Sequence, residues 1–333
     1  MENKVSPRTA SSNTAPSLTG RAAAPVAIGL PVYNGDPYLR LALESLLAQT
    51  GVDFELHIAD NCSTDGTQEL CRDFARRDER VVYHRREHNV GVTANHNLLV
   101  GEVDSPYFAW AGADDACRPN RLTALFEALR ARPDAVMAFS SAAQINADGE
   151  VIGTWQNPCR TDDPDPVVRL RDMVGVEHQG AKRYRKNVSF DSAPMAYGLF
   201  RRDMMLRTKL LPPVKNNDRL MLAELALHGP FVEVREPLLL HRHHEQRLTQ
   251  ATTQRDWYRT QRGDGRTFVL PNVEEAGWYL RAVSRSPLPL AERGRAMLAL
   301  YPWMRANAVP MARNVAKAAV EAARLAVGGR ARS

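Results

Sequence analysis

Between Val26 and Ala111, short apolar runs alternate with segments of helical periodicity, and this order restricts the chain to a mostly parallel sheet with helices on both faces. The strand segments are Val26–Leu30, Phe54–Ala59, Val81–Tyr83 and Tyr107–Ala111, the first and last of them continuous apolar runs. Each is too short for a helix and is bounded by turn residues, as expected of buried strands. Between the first two, Asp36-Pro37 reads as N-cap and first residue of a helix whose Leu39, Leu43, Leu46 and Leu47 share a face, with Gly51 as its stop. Leu70 and Phe74 mark a second helix, and Asn95–Val100 lies in a third. After the fourth run, Pro119 opens a helix with Leu122, Leu125, Phe126 and Leu129 on one side. A chain of 333 residues, 44% hydrophobic and 25% charged, can bury a full core for such a fold. The expected class is α/β, Rossmann-like, with a helical carboxyl-terminal extension.

The loops of this fold lack the G-x-G-x-x-G of dinucleotide sites and the G-K-[ST] of phosphate-binding loops. Polar and acidic side chains stand there instead. Asp60 and Asn61 end the second run and can accept hydrogen bonds from a nucleobase N–H or a ribose hydroxyl. The fourth run leads into Gly112-Ala113-Asp114-Asp115. In open α/β sheets the ligand crevice lies outside the carboxyl ends of the strands, where acids can hold a hard cation that bridges substrate phosphates. Capping of the next helix is the alternative role for this acid pair.

Four segments, P-V-Y-N-G from Pro31, A-D-N-C-S-T-D-G-T from Ala59, N-V-G-V-T-A-N-H-N from Asn89 and A-D-D-A-C-R-P-N-R-L from Ala113, resemble in order and spacing the family 2 glycosyltransferases with the GT-A fold. The resemblance covers about residues 26–244. It implies a nucleoside diphosphate sugar donor, a divalent cation (Mn2+ or Mg2+) and inverting transfer to an acceptor hydroxyl. Carried onto this sequence, it puts Pro31, Tyr33, Asn34, Asp60, Asn95 and Asp114 on the nucleotide, Asp60 at the base and Asp114 at the ribose, with Asp115 on the metal. There are two departures. Gly112 stands where the family often has a further acid, and Cys62 replaces a usual glycine.

From Asn217 the chain reads N-D-R-L-M-L-A-E-L-A-L-H-G, a helix ended by Gly229, with Asp218 at its start. The resembling family has E-D here, its Asp being the catalytic base, which makes Asp218 the expected base; an N-cap is the alternative. The following E-P-L-L-L-H-R-H-H matches the family's E-P-L-x-x-x-R-x-H and brings Arg242 to the diphosphate and His244 to the metal or phosphate. By strand alternation His241 and His243 face elsewhere. Residues 175–190 carry Lys182, Arg183, Arg185 and Lys186, either a loop that orders on substrate binding or a solvated charge run.

The expected division is a disordered tail at 1–24, the catalytic domain at 25–250 and a helical, basic, amphipathic extension at 251–333. Four scattered cysteines suggest neither a zinc site nor a disulfide framework, and no apolar run spans a bilayer. A cytoplasmic protein is expected. Residues 291–333 hold eight basic and two acidic residues, an excess equal to the +6 of the whole chain. Such a segment suits either the inner face of a membrane or a solvated helix packed on the catalytic domain. No nucleic-acid module is present. The acceptor expected is a cell-surface glycan or glycolipid, with a secondary metabolite as alternative. Rival functions are a nucleotidyltransferase, for which the first loop lacks basic residues, and a nucleotide-sugar-binding protein without turnover.

Overall fold

The computed structural model describes residues 24–175, 192–244, 260–261 and 270–330. Residues 1–23 of the expected tail and residues 176–190 of the basic loop lie outside this range.

Strands β1 (Val26–Val32), β2 (Phe54–Asp60), β3 (Val81–Arg85) and β4 (Tyr107–Trp110) are parallel and adjacent in the order β3-β2-β1-β4. The sheet continues through β8 (Leu199–Arg201), β6 (Met137–Ile145) and β9 (Phe231–Arg242) to the two-residue β5 (Ala116–Cys117), and β7 (Val151–Trp155) pairs with β6. β8, β7 and β5 run antiparallel to their neighbours. The sheet is thus mixed, with the expected parallel half intact.

Side chains on the two faces of β1 enter different cores. Val26, Ile28, Leu30 and Val32 pack with α1 (Leu39–Leu47), α2 (Thr67–Arg77) and α4 (Arg121–Ala131). Ala27 faces the layer of α3 (Val92–Gly101) and α5 to α8 (Pro166–Gly175, Ala193–Ala196, Arg202–Leu206, Asn217–Leu225). Gly29 is small for a reason: a Cβ there would lie 2.6 Å from the Phe108 ring. Helices α9 (Pro271–Arg285), α10 (Leu290–Ala299) and α11 (Tyr301–Arg330) join the second core through Tyr279, Val283, Ala296, Leu300 and Trp303.

The bounds of two elements have local reasons, and the first differs from expectation. Helix α1 begins at Leu39, because the backbone N–H groups of Gly35 and Asp36 donate to Thr67 and Asp65 of the next loop and Asp36-Pro37 stay in the turn. Strand β9 runs through Pro237 to Arg242, since register shifts against β6 around Ser141 absorb a residue with no N–H to give.

Candidate active site

The loops after β1 and β2 are laced together. Ser63 Oγ accepts from the Asn34 N–H at 2.9 Å, and Asn34 Oδ1 accepts from the Thr64 N–H at 2.9 Å. Tyr33, 47% exposed, and Asn34 stand at the mouth. Pro31 lies lower, within β1 opposite Ala59.

Asp60 and Asn95, expected at the nucleotide, are both buried and hydrogen-bonded within the protein. The Asp60 carboxylate is fully buried and accepts from the Ser63 N–H at 2.8 Å, the Tyr83 hydroxyl at 2.7 Å and Arg85 Nη1 at 2.6 Å. Burial would raise its pKa, but these hydrogen bonds outweigh burial and hold it below the usual carboxylate range. Asn95 is also buried, donating to the Ala59 carbonyl at 2.8 Å and accepting from Arg86 Nε at 3.1 Å. Both side chains fix the loop from beneath.

The acid pair is split between two environments. Pairing of β5 with Leu239 and Leu240 of β9 draws the Asp114-Asp115 loop across the end of that strand. Asp115 is buried, accepting from the Arg242 backbone N–H at 2.8 Å, with His241 Nδ1 3.1 Å from both of its oxygens. His241, expected to face elsewhere, therefore meets the acid loop. Asp114 is open, its side chain 35% exposed, and its Oδ2 lies 3.0 Å from His244 Nε2. Gly112 has no room for a side chain: a Cβ would come within 2.7 Å of Asp115 Oδ2.

The Arg242 side chain, expected at the diphosphate, is turned onto backbone carbonyls. Its buried guanidinium donates to the carbonyls of Asp114, Asn146 and Ala147 at 2.9, 3.1 and 2.9 Å, and lies 4.8 Å from the centroid of the Tyr38 ring. Tyr38 in turn packs on His244, ring centroids 4.7 Å apart. Sequence reasoning passed over Tyr38, whose position at the N-cap of α1 carries no chemical signal of its own.

Asp218 lies in the first turn of α8, but the N-cap is Asn216, with φ 57°, and no side chain caps the helix. Instead Ser192 Oγ donates to Asp218 Oδ2. Beside it, Gln261 Oε1 accepts from the Thr93 hydroxyl at 2.7 Å and from the Asn217 side-chain amide at 3.4 Å. Helix α6 leads from Ser192 towards the acid loop, and after it the Tyr197 ring centroid is 6.4 Å from that of His241. Helix α6 thus stands in sequence between the residue that holds Asp218 and the residue that packs beside His241.

The residues present suit a divalent cation. An exposed carboxylate oxygen and an imidazole nitrogen 3.0 Å apart are an acceptable donor pair for Mn2+. Among the described residues no three His, Cys, Asp or Glu side chains converge. A cation held there would need its other ligands from phosphate oxygens and water.

The model of the family described as Glycosyl transferase family 2 matches residues 27–198. Glycosyltransferase GlyA of Streptococcus pneumoniae is 29% identical over 102 residues, 31% of this chain and 14% of that protein. The putative teichuronic acid biosynthesis glycosyltransferase TuaG of Bacillus subtilis is 28% identical over 124 residues, 37% of this chain and 49% of that protein. In each case the match spans less than half of the relative. The fold is similar to that of S. aureus TarS 1–349 in complex with UDP-GlcNAc, with TM-score 0.58 and 15% identity over 85% of this chain and 74% of that one. The architecture is GT-A.

Proposed function

Because this chain belongs to glycosyl transferase family 2, we propose that it transfers a sugar from a nucleoside diphosphate donor to an acceptor hydroxyl, with inversion and with a divalent cation at Asp114 and His244. The observation that carries this reading is the 3.0 Å approach of Asp114 Oδ2 to His244 Nε2 at the carboxyl end of the parallel strands. The metal role expected of Asp115 passes to Asp114, because Asp115 is buried and already engaged by His241 and the Arg242 N–H.

When bound, the cation supplies charge neutralisation of the departing diphosphate. The other steps belong to side chains. Tyr33 offers an exposed ring on which the base can stack, and Asn34 lies beside it. Asp218, oriented by Ser192, takes the proton of the acceptor hydroxyl as that oxygen attacks the anomeric carbon opposite the leaving group. Arg242 and Tyr38 keep His244 in place.

The name of TuaG supports a cell-surface polysaccharide or glycolipid as acceptor, ahead of a small metabolite. A lipid-linked acceptor would bring the protein to the inner face of a membrane. TarS is solved with UDP-GlcNAc, so UDP sugars lead the donor panel. Donor hydrolysis and transfer are measured with Mn2+, with Mg2+ and in chelator. Turnover of at least one donor, lost in chelator and regained on adding metal, is expected. Nucleotide binding without turnover of any donor would mark a binding protein instead.

A further inference from the structure

Helix α11 is anchored along one side. The buried Trp303 ring lies 5.3 Å from that of Tyr279 of α9. Asn272, also on α9, donates from its side-chain amide to Asn307 Oδ1 at 2.9 Å and from its backbone N–H to Asn314 Oδ1 at 3.1 Å. Trp303, Asn307 and Asn314 recur at helical spacing, so these contacts fix the rotation of the helix about its own axis.

The opposite side is open and apolar. Tyr301, Val309 and Val315 are 63%, 60% and 53% exposed. At about 100° per residue they fall within roughly a third of the circumference, and the positions between them are filled by alanines such as Ala308 and Ala312. Arg305 lies within this arc, Arg313 borders it, and Lys317 lies one turn on from Arg313 and further round the helix. From Tyr301 to Val320 there is no acidic residue. Aliphatic side chains this exposed on one helix mark a contact surface rather than ordinary solvent-facing polypeptide.

We propose that this face of α11 lies on an anionic membrane surface. Its apolar arc and uniformly cationic charges match an acyl boundary beneath anionic headgroups. The twenty residues Tyr301–Val320 present roughly 30 Å of convex surface, which suits a plane rather than a pocket. A second copy is the poorer occupant, because pairing two such faces would set Arg305, Arg313 and Lys317 against their equivalents. No helix among the described residues is long and apolar enough to cross a membrane, so the contact is peripheral. The inference concerns where the protein sits and needs no turnover, so its failure would leave the transferase reading standing.

The test is sedimentation of the full chain with vesicles of phosphatidylcholine alone and of phosphatidylcholine mixed with phosphatidylglycerol. The protein is expected to pellet with the anionic vesicles only and to be released by salt. Each cation near an anionic surface is worth about fivefold in partitioning, so Arg313→Gln with Lys317→Gln should lower it about twenty-five-fold. Val315→Asp should lower it too, while circular dichroism and nucleotide affinity stay at wild-type values. Equal sedimentation with neutral and anionic vesicles, or unchanged partitioning of the variants, would overturn the proposal. So would a dimer, seen by light scattering in the wild type and abolished by Val315→Asp, since the face would then pair copies of the chain.

Discussion

His241 and Asp115 face each other at 3.1 Å at the base of the crevice, with their side chains only 2% and 3% exposed. The neighbouring Asp114 and His244 are a second acid–imidazole pair at nearly the same separation, but open to solvent on the acid side. Similar chemistry in two environments distinguishes a buried structural pair from the pair proposed to hold the cation. Removing a buried acceptor leaves its donors unmade, at about 1 to 3 kcal/mol.

Asp115→Asn is therefore expected to lower the stability of the protein by about 2 kcal/mol, read from urea denaturation. Asp114→Asn should change stability little and instead abolish the effect of Mn2+ on donor affinity in calorimetric titration. If Asp115→Asn were as stable as the wild type and blind to Mn2+, the roles of the two acids would be reversed.

Tyr38 joins Arg242 and His244 by ring contacts alone. Residues that orient a metal ligand commonly change metal affinity by about 10- to 100-fold when removed. Tyr38→Ala should weaken Mn2+ binding in the presence of donor by that amount, whereas Tyr38→Phe, which keeps the ring, should bind as the wild type. A loss in Tyr38→Phe equal to that in Tyr38→Ala would transfer the role from the ring to the hydroxyl.

The parallel half of the sheet was legible because β1 and β4 are apolar on both faces, β2 is apolar on one, and all are bounded by turn residues. The acids at their ends were legible because their spacing resembles that of a known family. Orientation was not legible. Nothing in Asp-Asp says which carboxylate turns inward, since that is decided by the pairing of Ala116-Cys117 with β9, too short a strand to leave a periodic signal. Asp60 ends β2 and Asn95 lies in α3, and their side chains turn towards Tyr83, Arg85 and Arg86, partners 9 to 25 residues away in sequence. Ser192 lies 26 residues from Asp218, and that it reaches the carboxylate depends on how α6 packs near α8.

For Asp60, a folded-state pKa below the unfolded one means that its ionised form stabilises the fold above the ordinary carboxylate value of 3.8, and that this contribution is lost as the pH falls through the lowered value. Asp60→Asn should be less stable than the wild type by about 2 kcal/mol at neutral pH, the worth of hydrogen bonds to a charged group. The gap should close in strongly acidic solution. Denaturation midpoints of both proteins across this range check it, and a gap independent of pH would assign the loss to packing rather than charge.

Asp218 and Ser192 allow the base to be separated from its support. Asp218→Asn keeps the size of the side chain but cannot take a proton, so donor affinity should stay close to wild type while transfer falls by about a hundred-fold or more. Ser192→Ala leaves the carboxylate but removes the hydroxyl that orients it. One hydrogen bond to an ionised group is worth about 1.5 to 3 kcal/mol, so transfer should fall on the order of tenfold, again with donor affinity retained. In the double variant the second change should add almost nothing, because a hydroxyl that works through the carboxylate has no function once the carboxylate is gone. Single-turnover rates for the four proteins give the coupling directly, and losses that simply multiply would place Ser192 on the substrate instead of on Asp218.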